Sequence, residues 1–188
     1  MLKTLDLRAT DDPRDIIHRT VQALVEGQVV GVPTDTVYGL AVDALSDTAI
    51  EELFRIKGRQ VDVPLAISVG SREAAEDFLC ESSPLVRRLS YRCWPGPLTL
   101  VAPCDSPTSA VTQLPEPVRQ RITGDFDCVG FRVVDHRVLA HIHRFLSGPL
   151  VLTSANVSGH PPPTTAAGVE EQLTDSLPLL LDDGPTRY

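Results

Sequence analysis

Five short stretches of the chain gather hydroxyls, amides and cations beside apolar runs. In 32-VPTDTVYGLAVDA-44, Thr34, Asp35 and Thr36 follow a buried apolar segment. Short hydroxyls and a carboxylate there can bind a polar ligand, or can close a turn by bonding nearby backbone. In 55-RIKGRQVDVPL-65, Arg55, Lys57 and Arg59 surround Gly58. This is either an anion site, with Arg as a fork and Lys as a point charge, or a helix C-terminus whose dipole the cations offset. There is no Walker motif, so a nucleotide would be held some other way. In 130-GFRVVDHR-137, Arg132 interrupts an apolar strand and needs a partner, a ligand or an edge position. His136 has no Ser or Cys nucleophile motif beside it that would mark a general base. In 148-GPLVLTSANVSGHPPPTTAAGV-169, an apolar run stops at Thr153, Ser154 and Asn156, and three prolines follow. Ser154 and Asn156 have the groups to bond a nucleotide, and the prolines stiffen the turn that carries them. In 91-YRCWPGPLTLV-101, the sole Trp, with Pro95, Gly96 and Pro97, reads as a structural corner.

The elements that must position these residues alternate. Asp12-Pro13 reads as a helix start, with Ile17, Val21, Leu24 and Val25 on one face and an end at Gly27. A strand over 28–33 and a turn-like stretch lead to a helix over about 47–56. A buried strand follows at 65–69, then helices over about 71–79 and 83–91. A turn enters a strand within 94–103. Another strand spans 128–134, and Asp135 caps a helix to about 146. The last pieces are the strand, loop and helix of 148–173 and a final apolar element, 178-LPLLLDD-183. Strands that are apolar without interruption point to an α/β sheet covered, at least in part, on both faces. Ligands of such sheets sit at strand ends and crevices, where the five stretches fall.

The chain has 188 residues, enough for one domain with a sizeable core. Its composition, 42% hydrophobic and 22% charged, is that of an ordinary globular protein. The net charge of −8 argues against a whole-surface nucleic-acid or anionic-membrane binder but leaves room for a local basic cleft. Arg87, Arg88 and Arg92 read as a solvated helix face. The cysteines Cys80, Cys93, Cys104 and Cys128 show no metal or redox spacing. The N-terminus has no signal core, and no apolar run is long enough to span a bilayer, so a cytoplasmic protein is expected.

In this order, PTDTVYGLAVDA, Lys57-Gly58-Arg59 with Pro64-Leu65 after it, WPGPLTLV, GFRVVDH and SANVSGHPPPTTA resemble the YrdC-like family, whose best-known members are threonylcarbamoyl-AMP synthases. The resemblance covers nearly the whole chain. It implies one YrdC-like domain over 1–188: an α/β twisted open sheet flanked by helices around a large, positively charged groove. It implies nucleotidyl transfer from ATP, with Mg2+ on the phosphates and no metal held by protein side chains. L-threonine, bicarbonate and ATP would become threonylcarbamoyl-AMP and pyrophosphate, and a partner complex would pass the group on to tRNA. Carried over to this sequence, Thr36, Ser68 and Arg132 would bind threonine, Arg132 through its carboxylate. Lys57 and Arg59 would be catalytic and face phosphates, with Arg59 also in the ATP site beside Ser154 and Asn156. A non-catalytic RNA- or nucleotide-binding module is the alternative. Val63, Ser68, Cys128 and Pro162 stand where many members have Asn, His, Thr and Ser. Members usually continue, after a stretch like 182-DDGPTRY-188, into a Ser-Thr-Val strand with a substrate-binding Ser; the expectation for 1–188 is a domain lacking that strand, with an open sheet edge.

Overall fold

The computed structural model describes all residues except 1, 59–64, 80–81, 105, 125 and 188. Its strands are β1 (Lys3–Asp6), β2 (Val30–Val32), β3 (Gly39–Asp43), β4 (Ala66–Ser68), β5 (Leu100–Pro103), β6 (Cys128–Arg132), β7 (Leu150–Ser154) and β8 (Leu179–Asp182). Its helices are α1 (Arg14–Val25), α2 (Asp47–Lys57), α3 (Arg72–Glu76), α4 (Pro84–Cys93), α5 (Glu116–Thr123), α6 (Arg137–Phe145) and α7 (Ala166–Leu173). The strands form one mixed sheet in the order β1-β8-β2-β3-β7-β4-β6-β5. Expected as an α/β sheet with helices, the chain is one.

Side chains alternate across the sheet and build two cores. Leu40, Val42, Val151, Ile67 and Phe131 enter one, against α2, α5 and α7. Ala41, Leu150, Leu152, Leu179 and Leu181 enter the other, against α1 and α6. This second core takes nothing from β4, β6 or β5. On that face the register lines up Ala41, Leu152, Ala66, Gly130 and Val101 in one row. Its far end, Val101, is 65% exposed. This row of small residues lies beyond the second core, and the candidate site lies there.

Local chemistry fixes most helix ends. Ser46, Ser71, Ser83 and Thr165 accept from backbone N–H groups of the first turns of α2, α3, α4 and α7. Gly58 closes α2 in the left-handed region, at φ 57°. Three expectations shift. Pro13, not Asp12, holds the N-cap position of α1, with no side-chain cap bond. The helix α6 is capped by His136, whose Nδ1 accepts from the Val138 N–H, not by Asp135. The stretch after Pro33 is not all turn: it contains β3, which pairs antiparallel with both β2 and β7.

Candidate functional site

Four of the residues given roles by the resemblance, Thr36, Ser68, Arg132 and Ser154, line one cavity of about 280 Å³ above β7, β4 and β6. The strand ends explain why. Ser154 pairs with Gly39 at the start of β3, just after the Thr34–Thr36 turn. Ser68 and Arg132 are direct partners across the parallel β4–β6 ladder and so rise on the same face.

Arg132 is held on three sides. Its Nε donates to the Gly96 carbonyl at 3.2 Å, and its Nη2 to Asp35 Oδ1 at 2.6 Å and Thr36 Oγ1 at 3.1 Å. Asp35 is a desolvated partner, its side chain 3% exposed against 15% for Arg132. A guanidinium carries five N–H donors. Three are engaged, and the two on Nη1 have no partner among the described residues. An oriented guanidinium with one free nitrogen beside a concavity can donate to a carboxylate or phosphate oxygen.

The hydroxyl directions follow from what each partner can do. Thr34 Oγ1 donates to the Val37 carbonyl at 2.6 Å and accepts from the Thr36 N–H. The 3.1 Å contact between the two threonine hydroxyls therefore has Thr36 as donor. Thr36 Oγ1 accepts from Arg132, which leaves it one acceptor lone pair for a ligand. Oδ2 of Asp35 is buried with no partner among the described residues, an acceptor left for a ligand or water to complete.

Lys57 does not line this cavity. It is 2% exposed, and its Nζ donates to the Ser154 carbonyl at 2.6 Å and the Asn156 carbonyl at 2.9 Å. Asn156 is buried too; its Nδ2 donates to the carbonyls of Val157 and His160, while Oδ1 has no partner among the described residues. From α7, Gln172 accepts from the Val157 N–H and donates to the Pro161 carbonyl. Lys57, Asn156 and Gln172 together pin the loop that presents Ser154. The Ser154 side chain itself has no hydrogen-bond partner among the described residues, and it lines the cavity. Arg59 and Val63 lie outside the described residues.

Sequence reasoning passed over three contributors. Gly96, read as part of a structural corner, supplies the carbonyl that orients Arg132. A Cβ there would sit 2.4 Å from the Cys93 carbonyl oxygen, so only glycine fits. His143 on α6 meets Ser68 Oγ at 3.1 Å through Nε2, and burial pushes its pKa down to about 4, leaving it neutral near pH 7. Nothing in the sequence links it to Ser68. Tyr38, visible in the first motif, is fully buried and bonds the segment after β8.

The Sua5/YciO/YrdC family model, described as "Telomere recombination", matches residues 22–188. The chain belongs to the Sua5/YciO/YrdC family. Among family relatives, a threonylcarbamoyl-AMP synthase of Pyrococcus abyssi is 38% identical over 162 residues, 86% of this chain and 45% of that protein. One of Bacillus subtilis is 33% identical over 181 residues, 96% of this chain and 49% of that protein. The solved structure of P. abyssi Sua5 complexed with L-threonine superposes with a TM-score of 0.85 at 33% identity, covering 100% of this chain and 51% of that one. This Sua5/YciO/YrdC chain thus spans about half the length of these relatives. Among the described residues, no helix is long and apolar enough to cross a membrane.

Proposed function

We propose that the chain is an L-threonylcarbamoyladenylate synthase, which joins L-threonine, bicarbonate and ATP into threonylcarbamoyl-AMP and pyrophosphate. The observation that carries this reading is Arg132. It is an arginine fork locked by Asp35, Thr36 and Gly96, with two donors left toward a cavity sized for a small molecule. The relatives named for this synthase and the likeness to a threonine-bound structure support it.

In this reading the threonine carboxylate accepts from the free Nη1 of Arg132, and Thr36 and Ser68 complete the amino-acid subsite. Ser154, on its pinned loop, bonds ATP. The threonine amine and bicarbonate give a carbamate and water. A carbamate oxygen then bonds to the α-phosphorus, and the bond to pyrophosphate breaks. Both reactants are anions, so the groove's work is to offset repulsion and hold them in line. Arg59 and Lys57 keep their assignment to the phosphates; Lys57 acts through the carbonyls of Ser154 and Asn156, which it holds. Magnesium enters with ATP, on its phosphates, where phosphate oxygens and water are its ordinary ligands, and it supplies charge neutralisation. Asp35, the carboxylate of the first motif, already pairs with Arg132. The product would pass to a tRNA-modifying complex in the cytoplasm, with RNA approaching the same groove.

The test is pyrophosphate release from ATP by the purified chain, with and without L-threonine and bicarbonate. Release that depends on both is the expected result. Threonine-independent release, or none from folded protein, would overturn the reading.

A further inference from the structure

Ser68 is fully buried, lines the cavity, and sits beside Arg132 in the β4–β6 ladder. Among the described residues its one side-chain partner is His143 Nε2. That contact depends on a close approach of α6 to the end of β4. Gly70 permits it, because a Cβ on residue 70 would lie 2.7 Å from the His143 Cβ. On its other side His143 lines a separate open cavity of about 680 Å³, shared with Asp77, Arg144 and Ser147. The imidazole therefore spans the wall between the ligand cavity and a second opening. Burial keeps it neutral, so it holds one ring proton, on Nε2 or on Nδ1.

With that proton on Nε2, His143 donates to Ser68 Oγ. The serine's own hydrogen is then turned away from the imidazole and toward the anion held by Arg132. With the proton on Nδ1, Ser68 would donate to the imidazole and offer only lone pairs to an anion. The anion favours the first arrangement, since a hydroxyl donating to a charged oxygen makes one of the stronger hydrogen bonds.

We propose that His143 is a positioning residue of the amino-acid subsite: through Ser68 it aims a hydroxyl donor at the substrate carboxylate beside Arg132. This rests on the synthase reading. Its consequence is selective. The pair acts on the amino acid and leaves ATP untouched, because Ser154 and its loop lie on the opposite side of the cavity floor row from Ser68.

The experiment compares wild type, Ser68→Ala, His143→Leu, His143→Gln and the Ser68→Ala/His143→Leu double variant in threonine-dependent pyrophosphate release, with melting temperatures recorded. His143→Leu should raise the KM for threonine at least about tenfold, the scale of one hydrogen bond to a charged group. The KM for ATP should stay within about twofold. His143→Gln, which keeps an N–H donor near the Nε2 position, should return most of the affinity, and the double variant should be no worse than Ser68→Ala. Equal effects on threonine and ATP, no effect on threonine, or additive effects in the double variant would overturn the proposal. If His143→Leu does not fold, Ser68→Ala and His143→Gln decide: the first must raise the threonine KM and the second must not. Wild-type protein without threonine-dependent release overturns the synthase reading, and this inference with it, before any variant is compared.

Discussion

At the scale of single residues, the site depends on a buried charge pair. Arg132 and Asp35 are both largely desolvated, and such a pair contributes less by its existence than its disruption costs. Arg132→Met should therefore destabilise the fold by about 3–5 kcal/mol, because Asp35 is left buried and unpaired. Arg132→Lys keeps the charge but cannot bond Gly96, Asp35 and Thr36 together while presenting a second edge. It should fold, lose about 1–2 kcal/mol with the hydrogen bonds it forfeits, and show a threonine KM raised at least about tenfold. Chemical denaturation and steady-state kinetics separate the two effects. If Arg132→Lys bound threonine normally, the fork geometry would be irrelevant. Much of this was legible in sequence: an arginine in an apolar strand demands a partner. Which partner was not, because Asp35 lies 97 residues away along the chain and only the sheet order brings it near.

At the scale of elements, the loop after β7 is the piece whose meaning moved most. The sequence read the cations around Gly58 as an anion site or as a dipole-offsetting helix end. The structure has Lys57 at the end of α2 reaching across to hold the backbone of residues 154 and 156. Lys57→Met would strand two carbonyls in a buried setting, at about 1–3 kcal/mol each. It should thus lower the melting temperature as well as activity. Ser154→Ala removes a hydroxyl with no recorded side-chain partner, so it should weaken ATP binding and leave the melting temperature within about a degree, as surface-like changes do. A Lys57→Met variant with unchanged melting temperature would show that the loop does not need its anchor. The sequence reading missed β1, β3 and α5. The strand β3 follows turn-forming Thr and Asp, and α5 follows prolines that suggest a loop, although Pro is well tolerated in a first helical turn. The apolar strand β7 was plain; β3, of the same length, was decided by its neighbours in the sheet.

At the scale of the whole molecule, the two cores leave the cavity face bare, and the segment after β8 ties the parts around it. Asp182 pairs with Arg8 near the N-terminus, and Asp183 pairs with Arg137 at the start of α6. The Thr186 N–H donates to the Thr164 carbonyl just ahead of α7. Tyr38 is the centre of this arrangement. Its hydroxyl donates to the Gly184 carbonyl at 2.7 Å and accepts from the Asp183 N–H at 3.3 Å. Its backbone bonds Pro163 and Ala155 on the loop that carries Ser154. One phenol thus links the first motif, the last strand and the nucleotide loop, a link no local pattern in the sequence reveals. Tyr38→Phe leaves a buried carbonyl and N–H unpaired and should cost about 1–3 kcal/mol. The pH dependence carries the signature of the same group. Burial, above all, pushes the Tyr38 phenol up to about 12 from an ordinary value of 10.0. The unfolded chain releases this proton first as pH rises, so the folded state loses stability through the window from about 10 to about 12. Below that window the contribution is fully present. Urea denaturation of wild type and Tyr38→Phe at a series of alkaline pH values tests this directly. The stability difference between them should be constant up to about pH 10 and shrink above it; a difference that stays flat to pH 12 would mean that the phenol titrates in the fold as it does in water, and that Tyr38 is not the buried tie between the first motif and the last strand.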